Sequence, residues 1–152
     1  MHAAAAGIDL RITRFAASTR TAQDAAQQIG TNVERIVKSL VFVDRETAIV
    51  ALCSGAARVD EVKLAAALGL SSLRRASAAE AKELTGYAIG GVPPFGHASG
   101  CRVVCDRVLL TFDEVWAAAG LPDAVFPIAP ADLVRTSGAR IADIAGSSVP
   151  QT

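Results

Sequence analysis

The sequence predicts a mixed α+β (α/β) domain, a curled, mostly antiparallel sheet with helices packed around it. Three observations lead there. Short runs rich in Val, Ile and Leu come in pairs joined by polar turns, as at residues 36–44 and 48–53. Helical apolar spacing falls between those runs instead of forming long blocks, as at residues 60–68. Helix starts carry Thr, Ser or Asp, and helix ends carry Gly. Strand pairs interleaved with short helices bury their apolar faces best as a sheet covered by those helices.

The elements follow in order. Thr21-Ala-Gln-Asp24 reads as a capping box opening a helix that stops at Gly30. The β-rich runs 36–44 and 48–53 flank the polar Arg45-Glu46-Thr47, a hairpin signal. Residues 60–68 form a helix ended by Gly69, and Ser77-Ala-Ala-Glu80 opens another that ends before Gly86. Residues 87–100 are dense in glycine and proline, which predicts a structured loop. Residues 101–106 and 108–112 read as a further strand pair, with a short helix over 113–119. Residues 124–128 and 139–144 are late strands separated by a helix from 131 to about 136. No internal repeat appears. The chain is expected to be one domain over residues 1–152, with frayed ends at 1–7 and 146–152.

Composition narrows the function classes. With 152 residues, 51% of them hydrophobic and 20% charged, the chain can form a packed core of aliphatic side chains. It has no apolar run near the roughly 20 residues of a membrane span and no basic leader, so a membrane role is not expected. Three cysteines (Cys53, Cys101 and Cys105) cannot all pair within the chain, which fits a cytoplasmic protein with reduced thiols. Fifteen basic residues balance fifteen acidic ones. A protein gripping a long stretch of DNA or RNA would carry a basic excess. Any RNA contact should therefore be small or assisted.

Two places invite chemistry. In Gly90-Gly91-Val92-Pro93-Pro94-Phe95-Gly96-His97, the glycines open the backbone and the prolines stiffen it. Its remaining N–H groups, such as those of Gly91 and Val92, are candidates to hold a carbonyl or phosphate oxygen. Gly91 is expected to bring its N–H close to such an oxygen, at positive φ. The plainer alternative is a tight helix-to-strand connection. Lys38 enters an apolar strand, where alternation puts it on the face of Ile36, Leu40 and Phe42. It is either an outward strand residue or a charge placed in a pocket.

No metal or other cofactor is expected. His97, Cys101 and Cys105 are four apart, but Gly96, Gly100 and the β-branched Val103-Val104 favour extended chain. Four extended residues span roughly 13 Å, whereas zinc ligands lie about 2.0–2.3 Å from one ion. A Cys53–His97 nucleophilic pair has no local signal for an activated thiol.

Taken together these pieces resemble the YbaK/prolyl-tRNA-synthetase-associated editing-domain family, whose members hydrolyse mischarged transfer RNA. The likeness rests on Arg35-Ile-Val-Lys38-Ser-Leu-Val-Phe42, Gly86-Tyr-Ala-Ile-Gly90-Gly-Val-Pro-Pro94-Phe-Gly96, Arg102-Val-Val-Cys-Asp106, Ala131-Asp-Leu133 and Ile141-Ala-Asp-Ile144. It runs over nearly the whole chain. The resemblance implies a pocket between Lys38 and the 90–94 loop, and hydrolysis without a protein nucleophile or metal. Lys38, Gly90, Gly91 and Val92 would then be catalytic, the loop amides holding the aminoacyl carbonyl and the lysine positioning the terminal adenosine and its phosphate. The ribose hydroxyl beside the ester would help activate water. Ser39, Pro93, Pro94, Phe95, Gly96, His97 and Val125 would contact substrate, and Arg35, Arg74, Arg75 and Arg102 the phosphates. Members that favour cysteine carry an aspartate in the late strand, where this chain has Val125, so the amino acid removed stays open. The substrate would be the acceptor end of an aminoacyl-tRNA, probed first as tRNA(Pro) with a small wrong amino acid and delivered by a synthetase or elongation factor. Two other readings remain: a binder of an aminoacyl or nucleotide-like ligand without turnover, and a thiol enzyme using Cys53 or Cys101.

Overall fold

A computed structural model describes residues 12–14, 21–45, 47–97, 100–121 and 124–146. Within them the elements run β1 (Thr13–Arg14), α1 (Ala22–Ile29), a 3-10 turn (Val33–Arg35), β2 (Val37–Asp44), β3 (Thr47–Ser54), α2 (Glu61–Leu68), β4 (Arg74–Arg75) and α3 (Ala78–Thr85). There follow β5 (Arg102–Asp106), a second 3-10 turn (Arg107–Thr111), β6 (Val115–Ala118), β7 (Ala124–Ile128), α4 (Pro130–Ser137) and β8 (Arg140–Ala142). The mixed α+β class is as expected. The expected frayed ends lie outside the described residues except for Gly146, whose N–H donates to the Arg58 carbonyl at 2.7 Å.

Local chemistry explains the helix boundaries. The Thr21 hydroxyl accepts from the Asp24 N–H, and the Asp60 carboxylate accepts from Val62 and Lys63. Ser77 and Glu80 form a complete reciprocal capping box. Gly30, Gly69 and Gly86 end the three helices in left-handed geometry, where a Cβ would be strained.

The strands form two sheets. The larger has the order β4-β2-β3-β5-β8, antiparallel as far as β3 and parallel from β3 onward. The smaller, β1-β7-β6, is antiparallel throughout. A parallel bridge between Ile36 and Trp116 joins them. One core lies between the sheets, where Val37, Val50, Leu52 and Cys105 meet Val115, Ala117, Phe126 and Ile128. The other covers the opposite face of the large sheet, with Phe42, Ile49 and Ala51 against Leu64, Leu68 and Ile144. Because β3 is covered on both faces, it reads as an unbroken apolar run.

Two expectations fail. Residues 108–112 are not a strand, since 107–111 make a 3-10 turn. There Leu109 alone is fully buried and Val108 is 45% exposed, so the apolar run has one inward side chain per turn instead of alternate ones. Residues 113–119 are not a helix. Val115–Ala118 pair with β7, burying Val115 and Ala117 while Trp116 and Ala118 turn the other way. The alanines favour helix intrinsically, but pairing overrides that weak preference. Asp113, which looked like a helix start, binds Arg35 through its carboxylate instead.

Asp106, at the end of β5, is fully buried. One carboxylate oxygen accepts the Ile144 N–H at 3.1 Å. Burial raises its pKa above the usual range, against the opposing pull of that hydrogen bond. A carboxyl whose pKa rises on folding favours the folded state below its unfolded value of about 3.9. That contribution fades as pH climbs through the raised folded value. Asp106→Asn keeps the acceptor and removes the ionisation. In urea unfolding it should be more stable than the parent at pH 7, with the gap closing toward pH 4. A variant less stable at pH 7 would mean that the ionised carboxylate is favoured.

Candidate active site

Where the two sheets diverge from the Ile36–Trp116 bridge, they leave a cavity of about 590 Å³. One wall is the β2 segment from Val37 to Val41, and another is the loop at Ile89, Gly90 and Val92. Trp116 and Ala118 of β6 and Val125 of β7 form an apolar side. The start of α1 and the turn at Gly55 and Ala56 close the end.

Lys38 is the centre of charge. Its ammonium donates to the Ala57 carbonyl at 2.6 Å, which aims the side chain and leaves further donors for a ligand. The Ala57 carbonyl is itself well fixed. Next to it, Asp60 N–H donates to the Ile144 carbonyl and Gly146 N–H to the Arg58 carbonyl, both at 2.7 Å. Arg75 is the other cation on the wall, with its guanidinium 5.7 Å from the centre of the Phe42 ring. No aspartate or glutamate lines the cavity among the described residues. The site therefore favours an anionic group beside Lys38 and Arg75 and an apolar group against Trp116, Ala118 and Val125.

The loop divides into two parts. Gly90, at φ 92°, and Val92 reach the cavity. Gly91 does not line it: its N–H donates to the Ala88 carbonyl at 2.9 Å, and Gly90 rather than Gly91 has the positive φ. A side chain at Gly91 would press on the Leu121 backbone at 3.0 Å, so this glycine serves close packing against the β6–β7 turn. Among the described residues, no hydrogen bond occupies the N–H of Gly90 or Val92. The second part anchors the first. Pro93 and Pro94 are buried, and Phe95 packs 5.9 Å from the Phe126 ring. Tyr87 O–H donates to the Gly96 carbonyl at 3.4 Å. His97 Nε2 donates to the Pro93 carbonyl at 2.8 Å, and burial lowers its pKa, which keeps the ring neutral. None of Pro93, Pro94, Phe95, Gly96 and His97 lines the cavity.

The arginines separate in the same way. Arg75 lines the cavity. Arg35 is bound to Asp113 and the Glu114 carbonyl, with its guanidinium 5.2 Å from the Phe112 ring. Arg74 makes a two-point contact with Glu80 at 2.8 and 2.6 Å, which holds the Glu80 carboxyl down to about 2. Arg102 is exposed at the start of β5 and does not line the cavity.

Sequence reasoning missed Gly55, Ala56 and Trp116. A Cβ on Gly55 would lie 2.6 Å from the Val33 carbonyl oxygen and 2.8 Å from the Ala22 Cβ. The Ser54-Gly55 pair at the end of an apolar strand was the available signal.

Two of the three thiols, Cys53 and Cys105, are poor nucleophiles. Burial pushes Cys53 up to about 11, with Lys38 pulling the other way, and Cys105 up to about 12, with Asp106 adding to the rise. Both are fully buried. Among the described residues, no group of three His, Cys, Asp or Glu side chains is placed to hold a metal. Brief alkylation of the folded protein, or EDTA, should leave turnover within about twofold of the untreated protein, since thiolate reactivity requires a low pKa and access. Loss on chelation with recovery on adding zinc would overturn this.

The described residues thus form an α+β fold with a cationic cavity between its two sheets, a site for a small ligand with an anionic part. The chain belongs to the aminoacyl-tRNA editing domain family, whose model matches residues 16–136. It is 34% identical over 131 residues to the uncharacterized protein YwhH of Bacillus subtilis, covering 86% of this chain and 83% of that protein. It is 32% identical over 114 residues to the proline–tRNA ligase of Stenotrophomonas maltophilia, covering 72% of this chain but only 20% of the ligase. A solved structure described as a candidate trans-editing enzyme for prolyl-tRNA synthetase superposes with a TM-score of 0.86 at 46% identity. That match covers 91% of this chain and 87% of the other. The hypothetical protein APE2540 gives 0.87 at 32% identity, covering 94% and 95%. Among the described residues, no helix is long and apolar enough to cross a membrane.

Proposed function

We propose that the chain is a cytoplasmic trans-editing hydrolase that cleaves the ester of a mischarged tRNA, with tRNA(Pro) bearing a small wrong amino acid as its substrate. The observation that carries this reading is the pairing of Lys38 with Gly90 and Val92 across one cavity. In it, Lys38 and Arg75 receive the phosphate of the terminal nucleotide, and the aminoacyl side chain rests on Trp116, Ala118 and Val125. At about 590 Å³ the cavity falls within the range of roughly 300–1,000 Å³ usual for small-ligand sites. It suits one terminal nucleoside with a small aminoacyl group.

In the chemical step, water attacks the ester carbonyl carbon and the carbonyl oxygen becomes an oxyanion. Gly90 and Val92 N–H groups stabilise that charge, as preorganised donors do in other acyl transfers. The carbon–oxygen ester bond then breaks and the ribose oxygen takes a proton. Among the described residues the cavity is lined by no carboxylate or imidazole to act as base, so the neighbouring ribose hydroxyl relays the proton, accepting one from the water as it passes its own to the departing ribose oxygen. Arg35 and Arg74 would reach phosphate only by giving up their carboxylate partners, so Arg75 is the stronger phosphate contact. A neutral chain that touches only the acceptor end fits delivery by a synthetase or elongation factor.

The test is a deacylation panel of tRNA(Pro) carrying Ala, Cys, Ser, Thr and Pro. At least one wrong ester should be hydrolysed more than about 100-fold faster than its spontaneous loss, a barrier change of about 2.7 kcal/mol, while prolyl-tRNA is spared. Tight binding of the charged tRNA with no acceleration of any ester would make the chain a binder instead.

A further inference from the structure

β2 is bonded to β3 along its whole length, but its opposite edge is covered only in part. Two hydrogen bonds fix which way its main-chain groups point. Gly55 N–H donates to the Ile36 carbonyl at 2.6 Å on the β3 side, and Ala76 N–H donates to the Val41 carbonyl at 2.9 Å on the β4 side. The register with β3 runs unbroken from Val37 to Asp44, so alternation carries these fixed points through the residues between. Lys38 and Leu40 turn their N–H and C=O toward β3, whereas Ser39 turns its own away. On that outer side β4 pairs with Phe42 and Val43, and β6 reaches only the Ile36–Trp116 bridge. The gap between β4 and β6 opens at Ser39, and the cavity occupies it. The Ser39 hydroxyl is buried there with no hydrogen-bond partner among the described residues.

A cavity without a lining carboxylate has only neutral oxygens to offer a primary ammonium. Buried main-chain groups without partners are costly, and an extended ligand on a bare strand edge supplies those partners. We propose that this edge is the recognition subsite for the α-amino group of the aminoacyl unit, a reading that rests on the cavity being an aminoacyl site. The Ser39 carbonyl and hydroxyl accept hydrogens from the ammonium, and Ser39 N–H donates to the carbonyl of the same amino acid. That is the two-point exchange of a hydrogen-bonded β pair. The aminoacyl group lies as a one-residue strand bridging β6 and β4, its carbonyl turned toward β2 and within reach of Gly90 and Val92.

The test uses two nucleosides that are not hydrolysed. One is 3′-amino-3′-deoxyadenosine carrying alanine in amide linkage, and the other carries propionate, the same acyl group without the amine. Titration calorimetry at pH 6.5, where the amine is charged, should show the alanyl compound binding at least tenfold more tightly. Ser39→Ala should narrow that ratio while leaving propionyl binding unchanged. Equal affinities in the parent protein, or no binding of the alanyl compound, would overturn the subsite. Preferential alanyl binding by a protein that hydrolyses no ester in the panel would support the subsite and overturn the deacylase reading. Ester hydrolysis with equal affinities would do the reverse.

Discussion

Lys38→Ala is expected to lower deacylation by roughly 10²-fold or more, a loss of about 2.7 kcal/mol of transition-state stabilisation. The substitution removes the ammonium that donates to Ala57 from a half-buried position on β2. The carbonyl it leaves behind adjoins an open cavity, so water can replace the lost donor, and the folded population should persist. If Lys38 holds the nucleotide phosphate throughout the reaction, KM should rise together with the fall in kcat/KM. If it acts only as the ester opens, kcat should fall alone. Lys38→Arg keeps the charge but carries it on a longer, planar group that cannot take the ammonium's place at the Ala57 carbonyl, and should recover only part of the rate. Turnover of Lys38→Ala within about threefold of the parent would remove the lysine from the mechanism.

The second large effect is expected at Gly55. An added methyl group there would sit 2.6 Å from one backbone oxygen and 2.8 Å from a methyl carbon, closer than real contacts allow. Neither neighbour is the tip of a flexible side chain, so the chain itself must shift. Overpacking of this kind costs about 1–3 kcal/mol. Gly55→Ala should therefore lower the unfolding midpoint clearly. It should also impair activity per folded molecule, because the same turn closes the end of the cavity. Gly30→Ala is the control. It meets no atom within 4 Å, and its strain comes only from a φ of 85°. That variant should lose stability and keep its turnover. A Gly55→Ala protein as stable and active as the parent would show that the turn yields freely.

How far the sequence could be read depended on the range of the interactions involved. Thr21, Asp60 and Ser77 act on amides two or three residues away, and all three helix starts were read correctly. The hairpin from β2 to β3 is equally local. Lys38 could be singled out because a charge inside an apolar strand conflicts with its surroundings. Val115–Ala118 was misread because its partner, β7, lies beyond a turn and its alanines suit a helix. The four arginines are alike in sequence. Only packing from 78 residues away shows that Arg35 belongs to Asp113. The bare edge at Ser39 is a property of strand order, and no local pattern encodes strand order.

The tie between Lys38 and Ala57 has a consequence in time. The segment carrying Ala57 is clamped by Ile144 and Gly146, nearly ninety residues further along the chain. During synthesis the β2–β3 hairpin can form long before that clamp exists, since hairpins close on their own within microseconds. A nascent chain halted before residue 144 would hold Lys38 and the glycine loop with Ala57 tied by its own N–H to the Ser54 carbonyl but without that clamp. Competence would then appear only once residues 144–146 have been made and have docked on the Arg58–Asp60 segment.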